Sequence, residues 1–235
     1  MIKEAISEAC KSMPRVKAVA PPKQADGELL NLYVITDFHL GQYSWAAETG
    51  DAWDIEIAES LLIKAFEKMI ATSPNAETAV FAQLGDFLHA DNFSGTTPAS
   101  GHVLDTDTRY PKVARVAIRV IRKIIDMLLH KHKKVLFVAA DANHDPIGGG
   151  VWLKEIVRNL YEKEPRFEII DSENSYYAYK HGESMIGFHH GHLTKLENLD
   201  RVFASRYHEM WGTCKYRFAH AGHFHHQREI DNHGM

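Results

Sequence analysis

The chain has 235 residues, of which 45% are apolar and 25% charged, as in an ordinary globular domain that can bury a sizeable core. The formal net charge of −4 argues against a general polyanion binder. No apolar run reaches the ~18 residues of a membrane span, so no membrane partner is predicted. Cys10 and Cys214 exclude a disulfide framework, and the absence of a signal-like start favours a cytoplasmic location.

Residues 1–28 are predicted to be an N-terminal appendage. A short amphipathic stretch, Ile2 to Met13, leads into a proline-containing linker. The globular domain is expected over 29–235. Because the chain stops ten residues after its last histidine motif, we expect the C-terminus of this domain to be truncated.

The rest of the chain predicts an α/β fold. Apolar runs typical of buried strands alternate with amphipathic helical stretches, which favours a parallel core. Strands are expected at 32–35, 78–84 and 135–140, and helices at 53–70, 111–132 and 152–161. In the last third, strands are expected at 167–170, 176–180, 185–189 and 216–221, with 227–230 as a further candidate and a helix around 196–207. The expected architecture is two packed mixed β-sheets flanked by helices.

Histidine is the unusual residue type. The chain has 16 histidines, and ten of them lie between His181 and His233. Such clustering indicates metal ligation or proton transfer.

Five short motifs with metal-binding side chains follow the apolar runs in order. They are Asp37-Phe38-His39, Gly85-Asp86, Asn143-His144-Asp145, His190-Gly191-His192 and Gly222-His223-Phe224-His225. Parallel strands present such residues at one edge of a sheet, so the motifs are expected to meet. Carboxylate, imidazole and amide ligands suit Mn²⁺, Fe or Zn²⁺, and two such ions ~3.5–4 Å apart support phosphoester cleavage.

In these motifs the chain resembles the calcineurin-like metallophosphoesterases, over roughly residues 30–226. The pattern of that family is Asp-x-His, Gly-Asp, Gly-Asn-His-Asp/Glu, a lone His and Gly-His-x-His. The resemblance implies a metallophosphoesterase-like sandwich and two divalent metal ions, with Mn²⁺ favoured and Fe or Zn²⁺ as alternatives. It assigns Asp37, His39 and His225 to the first ion and Asp86 to both. Asn143, His190 and His223 would complete the second.

The same resemblance assigns the catalytic residues. His144 would be the leaving-group acid or a stabiliser of the transition state, and Asp145 would orient its imidazole. His89 follows Asp86 at the spacing Gly-Asp-x-x-His, which is similar to SbcD-type DNA-repair nucleases and to phage and prophage phosphoesterases. In those nucleases this histidine contacts the phosphate. The implied reaction is attack on a phosphodiester, nucleic acid included, by a hydroxide that two metal ions share.

The chain departs from the family pattern at one position, and at a second position the matching residue is ambiguous. Ala142 stands where the family has glycine before the asparagine, so that turn must suit alanine. His189 and His190 are adjacent, and strand alternation lets only one of them face the metals. His190 is chosen because the family ligand usually sits directly before glycine.

Other interpretations stay open. The basic face of helix 111–132 either binds the phosphate backbone of a nucleic acid or, as we favour, is an ordinary solvated surface. The loop at 91–110 is a substrate lid or an ordinary surface excursion. A phosphomonoesterase acting on a protein or nucleotide, or a non-catalytic interaction module, is an alternative function. The motifs define neither the natural substrate nor the oligomeric state.

Overall fold

Two β-sheets lie face to face in the computed structural model, which describes residues 18–98, 100–232 and 234–235. The first sheet is parallel and has the order β1 (Asp26–Ile35), β2 (Ala76–Gln83), β3 (Lys134–Ala139) and β4 (Phe167–Ile169). The second sheet has the order β5 (Tyr177–His181), β6 (Ser184–His189) and β7 (Tyr216–Ala221). In it, β5 runs antiparallel to β6, and β7 runs parallel to β6. The predicted α/β fold class is confirmed, although only the second sheet is mixed.

The helices flank these sheets. They are α1 (Ala46–Thr49), α2 (Ile55–Thr72), α3 (Tyr110–Lys131), α4 (Leu153–Leu160), α5 (Leu199–Arg206) and α6 (His208–Thr213). A π-helical turn over Gly148–Trp152 precedes α4. Helix α2 begins after Asp54, whose carboxylate accepts hydrogen bonds from the backbone N–H groups of Glu56 and Ile57. Within the described ranges, no helix has both the length and the apolar character that crossing a membrane requires.

Alternation along the strands divides the interior into layers. In β2, Ala79 and Phe81 belong to the cluster packed against α2, α3 and α4, whereas Val80 and Ala82 belong to the cluster between the sheets. A third cluster packs α5 through Phe203 against the outer face of the second sheet. The resulting order is helices, sheet, sheet, helices, so the first sheet is buried on both faces.

The structure corrects some of the expected boundaries. Strand β1 begins at Asp26, not near Leu32, and Asp26 is paired with Ala76. The helix expected for Ile2 to Met13 lies outside the described residues. The candidate strand at 227–230 is wrong, because these residues are irregular and mostly exposed. Arg228 there makes a 2.8 Å ion pair with Glu197.

The basic face of α3 contacts acidic residues of α2. The Arg119 guanidinium donates to the Glu59 carboxylate at 2.7 Å, and Lys123 lies 3.8 Å from a carboxylate oxygen of Glu67. These cations therefore already have acidic partners on the surface, as expected for a solvated helix face.

Replacing Phe81 by Ala tests the helix-facing core. The Phe81 ring is fully buried and packs 5.1 Å from the ring of Phe66 and 5.2 Å from that of Phe137. We expect Phe81→Ala to lower the free energy of unfolding by about 3–5 kcal/mol in urea denaturation. Leu61 on α2 is half exposed, so Leu61→Ala should change it by only about 0.5 kcal/mol. Equal losses in both variants would contradict this assignment of the core.

Candidate metal centre

The ends of five strands are aligned, which brings the motifs together. In the first sheet Ile35 pairs with Gln83, and Gln83 pairs with Ala139. In the second sheet His189 pairs with Ala221. Because the five motifs begin within a few residues of these paired positions, they emerge at one edge of the sandwich.

Five residues of these motifs have left-handed backbone conformations. They are the only non-glycine residues with positive φ in the described part of the chain: Asp37, His39, Asp86, His223 and His225, with φ between 49° and 74°. Such conformations cost about 1–3 kcal/mol each and persist where the surrounding structure imposes them. All five are predicted ligands, so the backbone strain of the described chain is concentrated at this site.

Position 85 leaves no room for a side chain, so only glycine fits there. Its φ is +101°, and an added Cβ would lie 2.5 Å from the Cβ of Ala142 and 2.7 Å from Nδ1 of His190. Ala142 itself is not among the residues with positive φ. This alanine is therefore accommodated in an ordinary backbone conformation.

The first cluster of ligand atoms comes from Asp37, His39 and His225, whose ligand atoms all lie within 4.8 Å of one another. The backbone N–H of His223 donates to the Asp37 carboxylate at 2.9 Å, and the Thr36 hydroxyl donates to it at 2.6 Å. These bonds fix the carboxylate beside His225, whose Nε2 is 3.4 Å from Asp37 Oδ1.

At the second cluster, one histidine nitrogen faces two acceptor oxygens. The cluster members Asp86, His190 and His223 offer ligand atoms within 4.8 Å of one another. His190 Nδ1 lies 2.9 Å from the Leu84 carbonyl, which only accepts, so this nitrogen carries the proton of the neutral ring. The lone pair of Nε2 then faces Asp86 Oδ2 at 3.2 Å and Asn143 Oδ1 at 3.0 Å.

At these distances the Nε2 lone pair repels those of the two oxygens unless a positive charge lies between them. A proton on Nε2 or a metal ion supplies that charge. Carboxylate, imidazole and amide oxygen are also the donor set that binds Mn²⁺, Fe or Zn²⁺. The residues present therefore fit a divalent cation at the second cluster, and the first cluster offers a comparable donor set.

The side chains of the adjacent residues His189 and His190 lie in different environments. The His190 ring is fully buried among the second cluster, as described above. The His189 ring stacks on Tyr176 at 4.3 Å, and its Nδ1 lies 2.8 Å from the Ser175 carbonyl. The geometry thus places His190, and not His189, where the predicted ligand is needed.

His144 lies beside the first cluster, with its ring 4.8 Å from the ring of His39. The structure corrects how its imidazole is oriented. His144 Nδ1 donates to the His89 carbonyl at 3.0 Å, whereas the Asp145 carboxylate accepts from the backbone N–H of Leu88 at 2.8 Å. The prediction that Asp145 orients His144 is therefore wrong, because its fully buried side chain holds the neighbouring loop instead.

Burial keeps several imidazoles of the site neutral. It lowers the pKa of His39 and of His89 to about 4, with smaller contributions from the nearby imidazole of His144. Burial also lowers the pKa of His223. Burial raises the pKa of Asp86, but a proton on Nε2 of His190 and the hydrogen bond from the backbone N–H of His144 outweigh it, so the net shift is downward. Neutral imidazoles beside an ionised carboxylate are the protonation states that metal binding requires.

Two supporting residues had no signal in the sequence. Thr36 precedes Asp37 and holds its carboxylate, as noted above. The Asp91 carboxylate accepts from the backbone N–H groups of Ile147 and Gly148 and from the Tyr110 hydroxyl, at 2.8–2.9 Å. It thereby ties the loop after His89 to the turn before α4. A lone aspartate in a polar loop shows none of this until the chain is folded.

Comparisons with known proteins add little to this geometry. No family model matches the sequence, and no curated protein matches it. Among solved structures, the chain is similar to phosphopantetheinyl hydrolase from Mycobacterium tuberculosis, with 12% identity and a TM-score of 0.26. That alignment covers 77% of this chain and 52% of the other, so the chain spans about half of that protein. A similarity this low carries no conclusion about function.

The buried histidines predict a pH-dependent stability for the metal-free protein. The pKa values of His39, His89 and His189 are lowered from 6.5 to about 4. Between these two values the unfolded chain binds protons that the native protein does not. The free energy of unfolding should therefore be highest above pH 6.5 and fall as the pH drops towards 4.

Urea denaturation in the presence of a chelator, above pH 6.5 and at about pH 5, measures this effect. The variant His89→Gln removes one of the three groups, so its stability should fall less steeply over the same range. A denaturation midpoint that does not change with pH would show that these rings are not buried in the neutral form.

Proposed function

We propose that this protein is a dinuclear metal-dependent phosphoester hydrolase that favours phosphodiesters. The observation that carries the proposal is the convergence of Nε2 of His190, Oδ2 of Asp86 and Oδ1 of Asn143 at 3.0–3.2 Å. Such a group of acceptors is favourable only around a positive charge. The strained ligand residues of both clusters support the same conclusion.

Asp86 is the residue that would hold both ions. It belongs to the second cluster, and its charge also acts on His39 in the first. The backbone N–H of His144 donates to its Oδ1 at 2.9 Å, while Oδ2 faces His190. Its two oxygens are thus held in different directions. When bound, two divalent ions would neutralise phosphate oxygens and lower the pKa of a water molecule that attacks phosphorus.

His144 is the proposed general acid. Because its Nδ1–H donates to the His89 carbonyl, Nε2 is the nitrogen left to give or accept a proton. The residue is partly exposed, as a group that meets a substrate must be. A proton on Nε2 would pass to the leaving oxygen as the P–O bond breaks.

His89 is the residue that favours diesters in this proposal. Its ring is 9% exposed and lies 6.0 Å from the ring of His144. His89 Nδ1 is 3.4 Å from Nδ1 of His39, so the ring sits next to the first cluster. A neutral imidazole in this place would donate a hydrogen bond to a phosphate oxygen without adding charge. A diester carries less negative charge than a monoester and suits such a donor.

Hydrolysis of bis(p-nitrophenyl) phosphate tests the proposed activity. We expect turnover with added Mn²⁺, loss of turnover on chelation, and recovery when Mn²⁺ is restored. The monoester p-nitrophenyl phosphate, measured in parallel, should be the poorer substrate. A preference for the monoester would favour a phosphatase, and no turnover with Mn²⁺, Fe²⁺ or Zn²⁺ would overturn the proposal.

Replacing His144 by Ala tests the general acid. We expect turnover to fall by about 10²–10⁴-fold, with the largest effect on esters that have poor leaving groups. Metal affinity, measured by calorimetry, should stay near that of the unmodified protein because His144 is not a proposed ligand. His192→Ala serves as the comparison, because His192 lies beside the second cluster, 5.3 Å from the ring of His190, and it should reduce turnover far less. Loss of metal from the His144 variant would contradict the role given to it.

A further inference from the structure

A cavity of about 630 Å³ lies beside the candidate metal centre. His89 forms part of its lining, and the rest comes mainly from the segments around residues 40 and 90 and from the 91–110 loop. His89 also lies next to His39, so this space borders the candidate centre. The volume falls within the ~300–1,000 Å³ that is usual for small-molecule sites.

The loop wall of this cavity is held by its own hydrogen bonds. The Asn92 side chain donates to the Thr96 carbonyl at 2.7 Å, and Thr96 pairs with Val103 as a short antiparallel bridge. The Tyr110 hydroxyl donates to the Asp91 carboxylate at 2.9 Å. These contacts give the described part of the loop a defined shape, as expected for a binding wall.

One wall of the cavity presents an aromatic surface. Phe93 is 85% exposed, and its ring meets Tyr110 edge to face, with 5.7 Å between ring centroids. Most of the Phe93 side chain is therefore free to contact a ligand. Flat aromatic ligands, such as nucleobases, stack on rings of this kind, and the interaction tolerates any base.

The charged residues of the cavity wall limit how much negative charge a ligand in the cavity can have. The charged lining residues are Asp107 and Arg109. No ion pair joins Arg109 to another described residue. Asp107 Oδ2 accepts from the backbone N–H of Ile55 at 3.3 Å. One cation and one carboxylate do not attract a polyphosphate or a duplex backbone, which require several positioned cations. They do suit a sugar and a base with polar edges.

We infer that this cavity holds the nucleoside portion of the phosphodiester, with its base stacked on Phe93. The inference rests on the proposed function and adds the substrate class to it. The base would pack against Phe93 and Tyr110, and the polar groups of Ser94, Thr106 and Asp107 would face the sugar. The cavity has room for a nucleoside, so the inferred substrate is a nucleotide ester or the end of a single strand.

Two esters with the same leaving group test this inference. Thymidine 5′-(p-nitrophenyl phosphate) carries a nucleoside, whereas methyl p-nitrophenyl phosphate has nothing to place in the cavity. We expect kcat/KM to favour the thymidine ester. The variant Phe93→Ala should lower the ratio of the two kcat/KM values by about tenfold or more. Phe93→Trp, which keeps a flat ring, should restore it.

Val103→Ala is the matched control. Val103 is as exposed as Phe93 and lies in the same loop, but it does not line the cavity. Its substitution should leave the ratio unchanged. An equal preference for the two esters, or a ratio that Phe93→Ala does not change, would overturn the inference while leaving the phosphodiesterase intact.

If neither ester is hydrolysed, the proposed function fails and the cavity is tested by binding alone. Calorimetry with thymidine 5′-monophosphate should then show binding to the unmodified protein that Phe93→Ala weakens by about tenfold. Absence of binding to the unmodified protein would reject the cavity as a nucleoside site.

Discussion

The hydrogen bond between His190 and the Leu84 carbonyl is the contact on which the candidate centre depends. It joins the end of β6 in one sheet to the end of β2 in the other, at 2.9 Å. By placing the proton on Nδ1, it directs the Nε2 lone pair towards Asp86 and Asn143. The spacing that allows this contact is set by the core between the sheets, where Val80 and Phe188 are fully buried. The packing of the interior therefore determines the geometry of the site.

The backbone around this contact is under strain that the fold supports. Asp37, Asp86 and His223 are in left-handed conformations, which cost free energy in an isolated loop. Short backbone bonds between the loops hold them in place, such as the one from the N–H of His39 to the Asp86 carbonyl at 3.0 Å. A rigid, strained arrangement of this kind keeps the ligand atoms in position before a cation arrives, which favours metal binding.

The sequence predicted the strands, and it selected ligand candidates that the fold brings together, because both follow local rules. Alternating apolar residues identify a strand, and a histidine or carboxylate directly after it lies at the sheet edge. The sequence-based prediction failed where a contact joins segments that are distant in the chain. Asp145 follows His144 in the chain, yet its carboxylate binds Leu88 and the His89 carbonyl holds His144. The segment at 227–230 fails for the same reason. It ends in the apolar residue Ile230, but a strand forms only where a neighbouring strand is available to pair with it.

The sequence by itself determined the order of the elements, the chemistry of the donor set and the choice of residues that follow the strands. Periodicity and ligand type are properties of short segments, so they can be read without the fold. Only the tertiary structure decided that His190 and not His189 faces the site, and that Phe93, Asp107 and Arg109 surround a cavity beside it. Those outcomes depend on how two sheets and a long loop pack against one another, and residues far apart in the chain set that packing.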